Sequence, residues 1–231
     1  MSPSTCLPAS FYNRSAVVVA RELLGCVLVR KLNGQRLSGI ITEAEAYEGE
    51  EDLASHARVG RTPRTVIMYG PPGRAYVYFT YGMHWMLNVV TGPEGFPAAV
   101  LIRALQPVEG LQQIAARRAG QPEPQWCNGP AKLCQALGIT GSDNGVDLLA
   151  DGARAQDGSE DVCPVRLMDD GTPPPRRPSR GTRIGIKAAT DKRWRFWVPG
   201  DPHVSGGSAV RRVPSAGGVA RAAGASGSGP R

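Results

Sequence analysis

The chain has 231 residues, 41% hydrophobic and 20% charged, which suits one well-packed domain and leaves no run near the roughly 20 apolar residues that span a bilayer. Its cysteines (Cys6, Cys26, Cys127, Cys134, Cys163) form no Cys-x-x-Cys pair and its histidines (His56, His84, His203) lie far apart, which excludes a disulfide framework and the common zinc motifs. The net charge of +7 is weak support for nucleic-acid binding, because the four arginines of 204–231, with no acidic residue among them, leave +3 for residues 1–203.

In chain order, SAVVVARELLG (15–25) predicts a short helix with Ser15 as N-cap and Gly25 as its end. CVLVRKL (26–32) predicts a strand that turns at Asn33-Gly34 and returns through 35–47. The period of two puts Glu43, Glu45 and Tyr47 on one face of the returning strand and Thr42, Ala44 and Ala46 on the other. Residues 48–72 read as a covering loop, first acidic, then carrying Arg58, Arg61 and Arg64. Strands are expected at 75–81, 85–91 and 98–105, the first two forming an aromatic hairpin. A helix is expected over 107–118, with Val108, Leu111, Ile114 and Ala115 as its apolar stripe, and another from an Asn128 cap to Leu137, ended by Gly138. Further on, 151–161 and 171–179 read as loops and 164–168, 182–188 and 195–198 as strands. These elements predict an α+β fold: one compact domain with a mixed, mainly antiparallel sheet, flanking helices and a protruding aromatic hairpin. The expected division is an N-terminal extension at 1–10, a domain at 11–203 and a disordered Gly/Ala/Arg-rich tail at 204–231. The N-terminus lacks the basic-then-apolar layout of a signal peptide, so a cytoplasmic or nucleoid location is expected.

Two features suggest chemistry. Three of the six tyrosines fall between positions 76 and 81 and run into Gly82-Met83-His84-Trp85, a concentration of rings suited to a flat partner such as a nucleobase. Glu45 is the second: a carboxylate facing the interior has to be paired, protonated or functional. Tyr47, His56 and Arg103 are its candidate partners. A Glu-Arg pair alone would read as a structural salt bridge, whereas the added phenol, imidazole and tyrosines suggest a pocket where water attacks a flat substrate.

The segments TEAEAYEGEEDLASHA, GRTPR, YVYFTYGMHWMLNVV, VLIRALQPVEG and CNGPAKLCQALGI, in this order, resemble the alkyladenine (3-methyladenine or N-methylpurine) DNA glycosylases of the mammalian type over about residues 11–203. The resemblance implies a monofunctional enzyme of base excision repair, without metal or cofactor, acting as a monomer on duplex DNA with damaged purines. It implies that Glu45 activates the attacking water and that Arg103 holds Glu45 and that water. Tyr47, His56 and Tyr78 would enclose the extruded base, and Asn88 would lie near the purine edge and disfavour guanine. Tyr81 would fill the gap left in the duplex, with Met83 and His84 beside it in the groove. Gly129, Lys132 and Arg64 would contact the DNA backbone. On this reading Glu45 is ionised and Arg103 favours its charged form. The match departs from the family at Thr65-Val66, where a polar backbone contact is expected, and at His84, where some relatives carry tyrosine. No lysine occupies a pocket position, so Schiff-base chemistry is not expected. Two other readings share these residues: a module that binds distorted nucleic acid without chemistry, and a hydrolase of free nucleosides.

Overall fold

The computed structural model describes residues 5–80, 82–149 and 164–206. Tyr81, the expected loop at 151–161 and the 207–231 part of the expected tail lie outside the described residues. The elements are β1 (Thr5–Cys6), α1 (Ala9–Tyr12), α2 (Ala16–Glu22), β2 (Val27–Leu32), β3 (Gln35–Glu48), β4 (Ala75–Thr80), β5 (His84–Val90), β6 (Ala98–Glu109), α3 (Leu111–Arg117), α4 (Pro130–Leu137), β7 (Val165–Asp169), β8 (Ser179–Gly181) and β9 (Arg195–Trp197). They build one α+β domain around a sheet ordered β1-β7-β2-β3-β6-β5-β4, with every pairing among the described residues antiparallel.

β3 organises the sheet. Its Asn33-Gly34 turn, with φ of 53° and 72°, folds it back on β2, as the sequence predicts. β6 runs along one edge of β3, while the other edge is taken first by β2 and then, at Glu43–Glu45, by β9. Beyond the register shift at residues 41–44 of β3, the period of two divides the strands β3, β6, β5 and β4. Ala44, Ala46, Ala75, Val77, Leu87, Val89, Val100 and Ile102 face the main core. Tyr47, Tyr76, Tyr78, Asn88, Leu101 and Arg103 face the other way and line a cavity. Small alanines on the core side let α2 and α4 lie close to the sheet. Fully buried side chains such as Leu87, Ile102 and Leu105 each contribute roughly 1.5–3 kcal/mol by leaving water.

Ser15 caps α2 as expected, its hydroxyl accepting from the Val17 amide. Gly138, at φ 66°, ends α4 in the left-handed conformation. Four expectations are corrected. The helix expected over 107–118 is strand to Glu109 and helix only from Leu111, because β6 goes on pairing with β3 and Pro107 is accommodated at a register shift opposite Gly39. Val108 and Leu111 of the expected apolar stripe are accordingly 47% and 44% exposed. The cap of α4 is Gly129, since the Asn128 side chain instead accepts from Lys132 Nζ at 2.7 Å. Residues 182–188 form no strand, and Ser179 belongs to a short one. At the ends of the domain, Thr5–Cys6 pairs with β7, and Ser205 is 7% exposed, so residues on both sides of the expected 11–203 boundaries join the folded body.

Gly110 makes the turn from β6 into α3 at φ 70°, and a Cβ there would lie 2.9 Å from the Arg36 carbonyl. Gly110→Ala is therefore expected to cost about 1–3 kcal/mol, combining left-handed strain with a backbone clash. A lowered urea midpoint at unchanged m-value would bear this out; an unchanged midpoint would contradict it.

Candidate active site

The strand register assembles the site. Arg195, Glu45, Leu101, Asn88 and Tyr76 are successive cross-strand partners on β9, β3, β6, β5 and β4, and so occupy one row across the sheet. Tyr47 and Arg103 lie two residues along their strands from this row, on the same face. The 49–74 segment supplies His56, and the 182–188 loop supplies Ile184, Gly185 and Ile186 as the facing wall. The cavity, partly open to solvent, has a volume of about 270 Å³ and is lined by Tyr47, His56, Tyr78 and Asn88, all four of the base-pocket residues expected from the sequence.

Glu45 is fully buried and held by three donors. Tyr47 Oη and Arg103 Nη1 donate to Oε2 at 2.8 and 3.2 Å, and the Ile184 amide donates to Oε1 at 2.7 Å. Arg103 also donates through Nε to Glu43 Oε1 at 3.0 Å, so one guanidinium spans both carboxylates. Arg195 gives Glu43 a second cation at 2.5 Å. Two glutamates thus face two arginines, the neutral arrangement that burial of charge demands. A residue two positions past the expected domain end closes the group: Ser205 donates its amide to Glu43 Oε2 at 2.6 Å, and its hydroxyl accepts from Arg103 Nη2 at 3.2 Å.

Burial pushes the Glu45 carboxyl above the ordinary carboxylate range, while Arg103, the Ile184 amide and the Tyr47 hydroxyl pull it back. Arg103 favours the charged form as expected, but desolvation outweighs it. A carboxylate with a raised pKa is a stronger base, and the same burial, with Glu45 close by, keeps Tyr47 protonated and able to donate. His56 is lowered to about 4 by burial and by Arg64 and Arg58, so the imidazole is neutral at physiological pH. It is fixed by a 2.9 Å contact from Nδ1 to the Tyr76 hydroxyl and by an edge-on contact with Tyr78, centroids 4.5 Å apart. Burial raises Tyr78 to about 12. Asn88 Nδ2 donates to the Tyr76 carbonyl at 3.0 Å, which fixes the orientation of its amide.

The other expected residues lie around this centre. The Arg64 guanidinium sits 4.9 Å from the Tyr78 ring centroid and lines an adjoining groove with Phe79 and Trp85. Met83 is 68% exposed and His84 is exposed, next to Tyr81, which is outside the described residues. Gly129 begins α4, and the Lys132 side chain folds back over it toward Asn128. At the Thr65 departure, the hydroxyl is used internally, donating to the Gly60 carbonyl at 2.9 Å and accepting from the Thr62 amide at 2.8 Å. Sequence reasoning missed Arg183, the Ile184 amide and Ser205; Tyr76 is both part of a buried cluster and a cavity wall. Among the described residues, no group of three or more His, Cys, Asp or Glu side chains could share a metal ion.

Because the folded-state pKa of Glu45 is raised, its favourable contribution to stability is fully present below the unfolded value, about 4.3, and is lost as pH rises through the folded value. Glu45→Gln removes the buried charge and leaves Arg103 paired with Glu43. Since burial outweighs pairing at Glu45, the substitution is expected to raise Tm at pH 7, even though Arg103 and Arg195 then share Glu43 alone. Calorimetry giving a lower Tm than the parent would contradict this balance of burial over pairing.

Residues 10–202 match the methylpurine-DNA glycosylase family. A protein of Burkholderia cenocepacia is 47% identical over 212 residues, covering 91% of this chain and 95% of its own. One of Myxococcus xanthus is 47% identical, covering 87% and 94%, and one of Carboxydothermus hydrogenoformans is 45% identical, covering 86% and 98%. All three are provisionally named 3-methyladenine DNA glycosylases. With a match over this length and relatives this similar along nearly their whole chains, the protein belongs to the methylpurine-DNA glycosylase family.

Proposed function

We propose that this protein is a monofunctional DNA glycosylase that takes alkylated or deaminated purines, 3-methyladenine among them, out of duplex DNA and hydrolyses the N-glycosidic bond, starting base excision repair. The observation that carries this reading is a fully buried carboxylate, Glu45, held by Tyr47 and Arg103, both of which line the aromatic cavity. A volume of about 270 Å³ falls just under the ~300–1,000 Å³ of ordinary ligand pockets and suits one flat base better than a larger ligand.

A carboxylate offers about four acceptor positions, and three on Glu45 are taken, which leaves one direction for a water molecule. In the proposed reaction Glu45 takes a proton from that water as its oxygen bonds to the anomeric carbon. The bond from that carbon to the purine nitrogen breaks, and its electron pair leaves with the base. A cationic 3-methyladenine or 7-methylguanine departs neutral without needing a proton; hypoxanthine and ethenoadenine need one, or strong hydrogen bonding. The neutral His56 adds no repulsion to a cationic base, and the rings of Tyr47 and Tyr78 favour it through cation-π attraction of roughly 0.5–2 kcal/mol. Asn88, held by the Tyr76 carbonyl, suits a role in refusing guanine.

Extruding a nucleotide costs a few kcal/mol, least at a damaged pair, and a ring inserted into the duplex replaces part of the lost stacking. Tyr81 is proposed for that insertion on the strength of the sequence, with exposed Met83 and His84 in the groove and Arg64, Gly129 and Lys132 on the backbone. The protein is proposed to act as a monomer in the cytoplasm.

The test uses end-labelled duplexes carrying one hypoxanthine, ethenoadenine or 7-methylguanine, followed by hot alkali to cut at abasic sites. Wild type is expected to release the base, and Glu45→Gln to bind equally well but turn over about 10²–10⁴-fold more slowly. Binding by both proteins without release by either would replace this reading with damage recognition alone. Tyr81→Ala separates the nucleoside-hydrolase alternative: it is expected to cripple release from duplexes, and unimpaired cleavage of free nucleosides would favour that alternative instead.

A further inference from the structure

The donor to Glu45 Oε1 is a main-chain amide in a loop without regular structure, so something else has to hold it in place. The preceding side chain does. Arg183 is buried and grips Asp52 at two points, Nη1 to Oδ2 at 2.5 Å and Nη2 to Oδ1 at 2.8 Å, while Nη1 also donates to the Ala46 carbonyl at 2.9 Å. Its guanidinium carbon is 4.6 Å from the centroid of the Tyr47 ring and 5.3 Å from that of Trp194. Asp52 is in turn fixed by the Glu48 and Ala54 amides, at the start of the segment that carries His56. One guanidinium therefore ties the catalytic strand, the His56 segment and the facing loop together.

We infer that Arg183 is a positioning residue: clamped by Asp52 and the Ala46 carbonyl, it sets the Ile184 amide on Glu45 and braces the Tyr47 ring, and so governs how strong a base Glu45 is. The position of the amide follows the grip, because only one peptide separates them. A shift of less than 1 Å takes a 2.7 Å contact past useful hydrogen-bond length. Lysine in its place would keep the charge and lose the planar two-point hold. Other groups also face Glu45: Arg103 from β6, Glu43 and Tyr47 on its own strand, Tyr78 from β4 and, through Glu43, Arg195 from β9. Substitution at 183 alters none of them chemically. Loss of the amide then removes a donor to the charged form, and Glu45 becomes easier to protonate.

The inference rests on Glu45 being the base proposed above, and two readouts separate the claims. In protein labelled with [13C]carboxyl glutamate, the Glu45 resonance is assigned by its absence from Glu45→Gln. It is then titrated in wild type, Arg183→Met and Arg183→Lys, alongside the pH dependence of single-turnover base release. In Arg183→Met the Glu45 midpoint is expected about one pH unit higher, the equivalent of one charge-assisted hydrogen bond, with the acid limb of base release moved equally. Arg183→Lys is expected between the two. A folded Arg183→Met with an unmoved midpoint overturns the inference, even if its activity falls. Should that variant fail to fold, an unmoved midpoint in Arg183→Lys overturns it. A shifted midpoint in a protein whose wild type releases no base would sustain the positioning role and refute the glycosylase reading.

Discussion

A carboxylate with no exposure to solvent is the constraint around which the rest of the molecule is arranged. Removing an ion from water costs several kcal/mol even after relaxation, and Glu43 shares the problem two residues away. Arg103 and Arg195 answer both charges from neighbouring strands, and the two remaining carboxylate oxygens, Oε1 of Glu45 and Oε2 of Glu43, are each met by a main-chain amide from a distant part of the chain. Ile184 comes from a loop that has to stay irregular, because a ladder would consume its amide. Ser205 comes from the end of the described chain. The domain closes on this cluster, which explains why the folded body runs past the point where composition turns to glycine, alanine and serine.

Much of this was legible in the sequence, and the reason is periodicity. On β3, alanines at 44 and 46 alternate with Glu45 and Tyr47; on β6, Val100 and Ile102 alternate with Leu101 and Arg103. A sheet with one apolar and one chemically equipped face follows from that alternation. The strand register then brings Glu45, Leu101, Asn88 and Tyr76 into one row. What remained hidden has an equally physical cause. A main-chain donor such as Ile184 leaves no trace in residue type. Arg183 sits in a stretch whose apolar residues read as a strand, and Ser205 in one whose composition reads as disorder. The 107–118 error arose because Val108, Leu111 and Ile114 fit helical spacing while cross-strand pairing, which no local window contains, kept 107–109 in the sheet.

The electrostatics of the cavity fit the proposed substrates. Burial keeps the phenols of Tyr47 and Tyr78 protonated and His56 uncharged, so these three side chains present π faces and hydrogen-bonding groups without adding charge of their own, while Arg183 and Arg64 lie against the two tyrosine rings. A purine made cationic by alkylation gains from such walls, while a neutral lesion has to rely on shape and hydrogen bonding. Glu45 combines two demands that usually conflict. Burial raises its carboxyl, while Arg103, the Ile184 amide and the Tyr47 hydroxyl pull it back toward the charged form, the balance that the proposed role as base requires.

The central claim is that this buried carboxylate is the base, and the pH dependence of single-turnover release of 7-methylguanine from duplex DNA tests it most directly. The account predicts a rate that falls about tenfold per pH unit below one ionisation. That ionisation lies above the ordinary carboxylate range and is absent from the residual reaction of Glu45→Gln. A rate indifferent to pH over the same span, or the same limb persisting in Glu45→Gln, would show that Glu45 is not the group that activates water.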